Sequence, residues 1–382
     1  MPTPFLPASL IATATLLAGI GAHAAPHLDD TAISYCIDAN GAFIGCGGTG
    51  QDAEYGRDVT RPKDGDGRLG FRFTKLCNSG ERAGEGNCPA GPRPGDAADE
   101  WGCTRDEVTG LLWENKTETG HRAGNLSYTF YSPEYDPIGH YGSPGDATGF
   151  LHAVNEAGLC GAHDWRLPRP TELLGIVDMG SVTLPPVDVR FFPNTATNFY
   201  WGASNAPDKA DAWASYYFFN LGDIMTRDRK DVYAVRLVRG GELDGKRFVI
   251  SPDQQEVTDR LSGLAWRRCV EGQSFDGQHC VGKPFEPDWQ KALAHARRQA
   301  RDTGVPWRLP NLKELASLLD HEHSPHIDHQ AFPGGGNDTL WSSSATPADP
   351  TPRCVAFRDG STFGCSQGGR GSFGLRLVRD RD

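Results

Sequence analysis

Two stretches of the sequence decide the fold: residues 165–178 read WRLPRPTELLGIVD and residues 307–320 read WRLPNLKELASLLD. They lie 142 residues apart and are identical at seven of their fourteen positions. The prolines near the start of each stretch prevent a helix from forming before them. Apolar residues then recur at helical spacing, as at Leu173, Leu174 and Val177. Each stretch therefore predicts a turn followed by a short helix.

The motifs around these stretches also occur twice, in the same order. Gly-Leu-x-Trp stands at residues 110–113 and 263–266, and Arg-Leu-Val-Arg stands at residues 236–239 and 376–379. Motifs that recur in one order at a nearly constant offset indicate a duplicated globular unit rather than a solenoid of short repeats. The predicted domains are residues 69–241 and 242–382, preceded by a short irregular segment, rich in Gly and Asp, at residues 25–68.

The predicted fold class is α+β. A second helix is expected ahead of each stretch, at residues 150–157 and 289–300, and aromatic and β-branched runs predict strands at residues 213–219 and 233–238. Each unit should therefore consist of a small antiparallel sheet with two short helices. Near the end of the second unit, Asp359-Gly360 favours a hairpin turn, which would place Cys354 directly opposite Cys365.

The first 24 residues resemble a signal peptide. They contain no charged residue, they include an apolar run from Leu10 to Ile20, and Ala22-His23-Ala24 supplies small residues for cleavage before Ala25. We therefore expect export to the periplasm, the cell surface or the medium. No later window contains 18 consecutive apolar residues, which argues against an integral membrane protein.

The cysteines agree with export. There are ten, and eight of them form four close pairs along the chain, which leaves Cys103 and Cys160 for each other. All ten can be bridged in an oxidising compartment. The absence of any Cys-x-x-Cys motif favours disulfides over a metal or redox centre. The predicted pairs are Cys36–Cys46, Cys77–Cys88, Cys103–Cys160, Cys269–Cys280 and Cys354–Cys365.

Charge is distributed unevenly between the halves. The whole chain has a net charge of −11, which argues against a nucleic-acid partner. Residues 242–382 have a net charge of −1 and the remainder −10. An acidic ligand should therefore prefer the second unit, on whose predicted helix four basic residues lie; a neutral sugar should instead prefer aromatic residues of the first. The candidate ligand-binding residues are Lys291, Arg297, Arg298 and Arg301 for the acidic ligand, and Trp213 and Tyr216 for the neutral sugar. The alternative is that the basic residues form only a solvated helix face.

Other polar residues have both a structural and a functional interpretation. His321, His323, His326 and His329 are dense enough to bind Zn²⁺ or Ni²⁺, or they belong to a variable polar loop. Arg166 with Glu172, and Arg308 with Glu314, are interpreted as ion pairs that fasten a turn to a helix start. The repeated tryptophans are assigned to the core. No nucleophile elbow, phosphate-binding loop or His-Glu-x-x-His motif is present, so neither catalysis nor a cofactor is expected.

In combination, Trp-Arg-Leu-Pro-x-x-x-Glu-Leu, the upstream Thr-Gly-Leu-x-Trp and the closing Arg-Leu-Val-Arg resemble a family named for the C-terminal domain of a collagen-like bacterial adhesin, Lcl. The resemblance covers residues 69–382. It implies binding of an extracellular glycan, since the adhesin's domain is associated with sulfated glycans on host surfaces. A more distant similarity to formylglycine-generating enzymes implies a C-type-lectin-like fold. It also offers an alternative function, a metal-binding or metal-dependent envelope enzyme, in which Cys354 and Cys365 are the only C-terminal candidates for holding copper.

Overall fold

The N-terminal segment contains two very short strands and one turn of helix. They are β1 (Cys36–Ile37), β2 (Phe43–Ile44) and α1 (Arg57–Thr60). The predicted signal peptide, residues 1–24, lies outside the described residues. The structure, a computed structural model, describes residues 28–60, 67, 69–136, 138–205, 211–216, 222–241, 243–334, 339–347, 350–365 and 372–381.

The first repeat contains two antiparallel sheets and two helices. Its strands are β3 (Phe73–Cys77), β4 (Trp101–Asp106), β5 (Leu112–Glu114), β6 (Phe199–Asn205), β7 (Asp211–Tyr216), β8 (Asp223–Asp228) and β9 (Val238–Arg239), and its helices are α2 (Ala147–Ala157) and α3 (Pro170–Gly175). The strand orders are β3-β4-β5-β9 and β6-β7-β8. The closing Arg-Leu-Val-Arg motif thus returns to pair with the Gly-Leu-x-Trp strand, where Trp113 lies opposite Val238.

The second repeat has the same arrangement with an added hairpin. Its strands are β10 (Phe248–Ile250), β11 (Glu256–Asp259), β12 (Leu264–Arg267), β13 (Gln273–Phe275), β14 (Cys280–Gly282), β15 (Thr339–Ala345), β16 (Pro352–Ala356), β17 (Ser361–Gly364) and β18 (Val378–Asp380), and its helices are α4 (Trp289–Thr303) and α5 (Leu312–Ala316). The strand orders β10-β11-β12-β18 and β15-β16-β17 match those of the first repeat. The chain is therefore α+β, as predicted, although each repeat has two sheets instead of one.

The helices begin at capping residues. Asp288 accepts a hydrogen bond from the Lys291 N–H at 2.9 Å and starts α4, while Pro170 stands at the first position of α3, where a helix needs no N–H donor. Because sequence reasoning treated Pro170 only as a barrier, it placed the α3 helix about one residue late. The predicted strand at residues 233–238 is also shorter than expected, since only Val238–Arg239 belongs to a ladder and Tyr233 and Ala234 form isolated bridges.

The predicted register of the last hairpin is wrong. Cys354 lies opposite Phe363 and Ala356 opposite Ser361, so four residues connect the strands instead of two. The reason is Phe357, which is completely buried and must reach the core before the chain turns. Cys354 and Cys365 are consequently diagonal neighbours, with Cα atoms 5.8 Å apart.

All ten cysteines are bonded in the five predicted pairs. The repeated tryptophans belong to the core, as predicted, with at most 4% of each side chain exposed; they are Trp113, Trp165, Trp201, Trp266, Trp307 and Trp341. None of the helices in the described ranges has the length and apolar character needed to cross a membrane.

The N-terminal segment, predicted as an irregular stretch outside the repeats, contributes residues to the core. Ala32 and Ile33 are buried in a hydrophobic cluster that contains residues of both repeats. The Thr31 carbonyl accepts a hydrogen bond from the Met179 N–H at 2.9 Å in the first repeat. On the other side, the Tyr35 hydroxyl donates to the Ala345 carbonyl at 2.8 Å in the second repeat. The segment therefore ties the two repeats together.

The two repeats meet through matched elements. Helix α3 packs against its counterpart α5, and β8 packs against its counterpart β17. At the centre of this contact, the Thr362 hydroxyl donates to the Gly222 carbonyl at 3.1 Å and accepts from the Ile224 N–H at 2.9 Å. Ile224 and Thr362 are equivalent positions, since Ile224 pairs with Ser215 and Thr362 pairs with Val355, and Ser215 and Val355 are 140 residues apart. The contact therefore joins equivalent positions of the two repeats, as an isologous interface does.

Candidate functional site

The four basic residues predicted to bind an acidic ligand lie on the face of α4 that points away from the core. Lys291, Arg298 and Arg301 are exposed, while Arg297 is half-buried and its stem packs beside Gly50 of the N-terminal segment. The opposite face of the helix carries the buried residues Trp289, Ala292, Leu293 and Ala296. Of the four cations, Lys291 forms an ion pair with the capping residue Asp288 at 2.7 Å.

Two further arginines extend this basic surface, and sequence reasoning missed them. Arg267 donates to Gln299 of α4 at 3.1 Å, which connects it to the helix. The guanidinium groups of Arg267 and Arg379 lie 4.9 and 5.6 Å from the ring centroid of Trp307. A sequence signal existed, because Arg267 follows the repeated Gly-Leu-x-Trp motif at the position where the first repeat has Glu114.

The aromatic candidates of the first repeat lie on β7. Trp213 pairs with Thr226 and Tyr216 with Asp223 of the neighbouring strand. The side chains of Trp213 and Tyr216 are outside the part of the molecule that the structure describes. A sugar-binding role for these two residues therefore stays a prediction.

The four candidate histidines are divided between the interior and the surface. His321 and His326 are buried, and their rings donate to the carbonyls of Gly360 and Asp320 at 3.0 and 3.1 Å. Burial lowers the pKa of His321 to about 4, which keeps this ring neutral. His323 and His329 are exposed. Within the described ranges, no three His, Cys, Asp or Glu residues are grouped so that they could hold a metal ion.

The Arg–Glu pairs of the repeated motif serve the helix starts, as predicted. Arg308 donates two hydrogen bonds to Glu314, at 2.6 and 2.7 Å, and Arg166 donates two to Glu172, both at 2.7 Å. Each glutamate also accepts the N–H at its own helix cap, so these carboxylates are used within the fold. The Cys354–Cys365 disulfide likewise occupies both thiols that a copper site would need.

A cleft of about 620 Å³ opens where the N-terminal segment and the two repeats meet. Its apolar lining includes Leu28, Leu111 and Trp113 from one side and Phe248 and Leu318 from the other. This volume is typical of sites that hold a small molecule. Sequence reasoning could not find the cleft, because it depends on how the repeats pack together.

One wall of the cleft contains two carboxyl groups in contact. Asp29 is 2% exposed and Asp106 is 1% exposed. Burial raises the pKa of Asp29 well above its usual value, and the nearby Asp106 raises it further, while Lys313 and Arg57 act in the opposite direction. Burial also lowers the pKa of Lys313 to about 8, against the influence of the surrounding aspartates.

Lys313 connects three parts of the molecule beside this pair. Its ammonium group donates to the Asp30 carbonyl of the N-terminal segment and, at 2.7 Å, to the Gly175 carbonyl of α3. It also lies 4.5 Å from the ring centroid of Phe71. The ammonium group of Lys313 therefore links α5 to the N-terminal segment and to α3 beside the cleft.

The family model described as the Lcl C-terminal domain matches the chain twice, at residues 102–239 and 255–379, which together make up more than half of the chain. The two matches correspond to the two repeats. No curated protein is significantly similar to the chain.

Proposed function

Because the chain belongs to the Lcl C-terminal domain family, we propose that it is an exported binding module that recognises an acidic extracellular glycan through the basic face of α4. Each repeat, bounded as residues 69–241 and 242–382, is a C-type-lectin-like unit in this proposal. The protein acts at the cell surface, in the medium or in the periplasm, and it binds without catalysis.

The observation that carries the proposal is the row of cations on α4. Lys291, Arg297, Arg298 and Arg301 lie within eleven residues of the helix, and the first and last of them are about 15 Å apart along its axis. Arg267, which is bonded to Gln299 of α4, and Arg379 add two guanidinium groups around Trp307, where they also contact Glu271 at 3.8 Å and Glu256 at 3.0 Å. Guanidinium groups bind planar or tetrahedral oxyanions through paired hydrogen bonds, which suits sulfate and carboxylate groups on a sugar chain.

The first repeat lacks this surface. It has Glu114 in the place of Arg267, and the Glu114 carboxylate is buried in an ion pair with Lys116 at 3.0 Å. The part of the chain outside residues 242–382 also has a net charge of −10, which repels an anionic polymer. A single binding surface in the second repeat is therefore expected.

The test uses the whole mature protein, because the repeats share one core and separated halves would expose it. Binding to immobilised heparin is measured at several salt concentrations for the wild type and for Arg298→Glu/Arg301→Glu. We expect at least a tenfold loss of affinity at low salt and a weaker salt dependence in the variant, since two charge contacts are removed. Arg93→Glu/Lys230→Glu is the control, because it makes the same charge change at two exposed residues of the first repeat.

Two results would contradict the proposal. Equal losses of heparin affinity in the two double variants would mean that binding depends only on net charge and that α4 is not the binding surface. Retention of the wild type by an unsulfated, uncharged polysaccharide as strongly as by heparin would contradict the acidic nature of the ligand.

A further inference from the structure

The carboxyl group of Asp29 has an unusual environment for a buried polar group. Among the residues that the structure describes, no N–H group or hydroxyl donates a hydrogen bond to either of its oxygen atoms, and the group that it faces is the carboxyl of Asp106. A buried carboxyl without a donor lowers stability. In native proteins such a group is an exception that often marks the position of a ligand or an ion.

Asp106, in contrast, is held firmly. One of its oxygens accepts the N–H groups of Val108 and Thr109 at 2.9 and 3.3 Å, and the other accepts the Thr109 hydroxyl. These bonds fix the position of the Asp106 carboxylate at the wall of the cleft. Asp29 therefore faces the Asp106 carboxylate, which these hydrogen bonds hold in place.

In the second repeat, the aspartate equivalent to Asp106 has a different partner. Asp259 is the equivalent of Asp106, since each precedes the repeated Gly-Leu-x-Trp motif by the same number of residues. Asp259 accepts two hydrogen bonds from the guanidinium group of Arg247, at 2.9 and 2.7 Å. In the second repeat a guanidinium group is bonded directly to this carboxylate, whereas in the first repeat the carboxyl of Asp29 lies against Asp106, with the ammonium group of Lys313 nearby.

We propose that the cleft between the repeats binds an organic monocation, an ammonium or guanidinium compound with an apolar body, whose charged group lies between Asp29 and Asp106. The apolar part lies against Leu111, Trp113 and Phe248 of the cleft walls. Six acidic and four basic residues line the cleft, so its overall charge also favours a cation. This site is separate from the basic face of α4.

A metal ion fits the same place less well. Ca²⁺ takes six to eight oxygen ligands, and the residues that the structure describes contain no group of three carboxylates or histidines arranged to hold a metal. Two carboxyl groups with apolar walls around them instead match one positively charged group on a hydrocarbon body.

Binding of a cation should release a proton. In the free protein Asp29 holds its proton more tightly than an ordinary aspartate, because burial and the charge of Asp106 raise its pKa against the opposing influence of Lys313 and Arg57. When a cation lies between the two carboxyl groups, both are stabilised in their ionised form, and the proton of Asp29 passes to the buffer. Affinity for the cation should therefore fall as the pH is lowered.

The experiment is calorimetric titration of the full mature protein with benzylamine, a cation with an aromatic body, and with benzyl alcohol, its neutral counterpart. Each titration is made in two buffers with different ionisation enthalpies, so that the number of protons released can be calculated. We expect benzylamine to bind at least tenfold more tightly than benzyl alcohol and to release up to one proton, while benzyl alcohol releases none.

Asp29→Asn is the test variant, because an amide replaces the neutral carboxyl group with the same shape and the fold should be kept. It should weaken benzylamine binding at least tenfold, abolish proton release, keep the melting temperature at or above that of the wild type and leave benzyl alcohol binding unchanged. Glu322→Gln is the control, since it removes one charge from an exposed residue that lines the same cleft, and it should change affinity less than twofold.

Three results would overturn the proposal. The first is benzylamine binding to the wild type without proton release. The second is equal weakening by Asp29→Asn and Glu322→Gln, which would indicate general electrostatic attraction. The third is Asp29-dependent binding of calcium chloride with no binding of benzylamine, which would replace the organic cation by a metal ion.

Discussion

Replacement of Asp52 by Asn should make the protein more stable at neutral and alkaline pH. Asp52 is buried in the N-terminal segment, where one of its oxygens accepts hydrogen bonds from the Thr31 hydroxyl at 2.8 Å and from the Ser344 hydroxyl at 2.6 Å. Burial raises the pKa of Asp52 to about 7, and the charges of Asp30 and Glu314 raise it as well, against the influence of the two hydroxyl donors.

The magnitude follows from the difference between the folded and unfolded states. An unfolded aspartate releases its proton near pH 4, so between about pH 4 and pH 7 the folded state binds one proton more. The free energy of unfolding therefore falls with rising pH in this window and reaches a loss of about 4 kcal/mol above it. Asn imitates the protonated carboxyl and does not titrate, so the variant should not have this loss.

Urea denaturation of the wild type and of Asp52→Asn at pH 5 and pH 8 measures the effect. The stability advantage of the variant should grow by roughly 3 kcal/mol between these two values. Asp38→Asn is the control, because this exposed carboxylate accepts backbone N–H groups that lower its pKa, and its substitution should not stabilise the protein at pH 8. An advantage of Asp52→Asn that stays constant with pH would refute the reasoning.

The remaining predictions concern backbone contacts, covalent links and metal binding. A Cβ atom at Gly180 would lie 2.1 Å from the Ala32 carbonyl oxygen, so Gly180→Ala should displace the N-terminal segment and lower the melting temperature by several degrees, while Gly175→Ala, with open space around it, should not. Removal of the Cys103–Cys160 bond, which spans 57 residues, should lower the free energy of unfolding by about 4 kcal/mol in denaturant titrations. Removal of the Cys269–Cys280 bond, which spans 11 residues, should lower it by about 3 kcal/mol. A smaller loss for the long bond would contradict this ranking. Added zinc should leave the melting temperature of the mature protein unchanged relative to a sample with chelator, and a clear rise would show that the histidine-rich loop binds metal.

Local sequence signals predicted much of the fold. The Arg308–Glu314 pair and the helix that follows could be predicted because both partners lie within one short motif, where spacing alone fixes their geometry. The disulfides followed from close spacing in four cases and from elimination for Cys103–Cys160. The hairpin register failed because burial of Phe357, a tertiary requirement, overrode the local turn preference of Asp359-Gly360.

The cleft and its acidic pair were beyond prediction for a physical reason. Lys313 binds the carbonyls of Asp30 and Gly175, which are separated from it by 283 and 138 residues, and no periodic pattern connects them. Asp29 belongs to the segment outside the repeats, so comparison of the two copies could not reveal its position against Asp106. The basic face of α4 was found because four cations on one helix are visible in the sequence, whereas Arg267 and Arg379 required the packing around Trp307.

The meeting of Ile224 with its own counterpart Thr362 gives the contact between the repeats the character of a homodimer interface within a single polypeptide. Covalent linkage replaces association between molecules by an intramolecular contact at high effective concentration, so the paired state does not depend on protein concentration. It also removes the requirement that both partners carry the same residues. In the second repeat the equivalent aspartate, Asp259, is bonded to Arg247, while in the first repeat Asp106 lies against Asp29 of the N-terminal segment, a difference that a symmetric dimer of identical chains could not have.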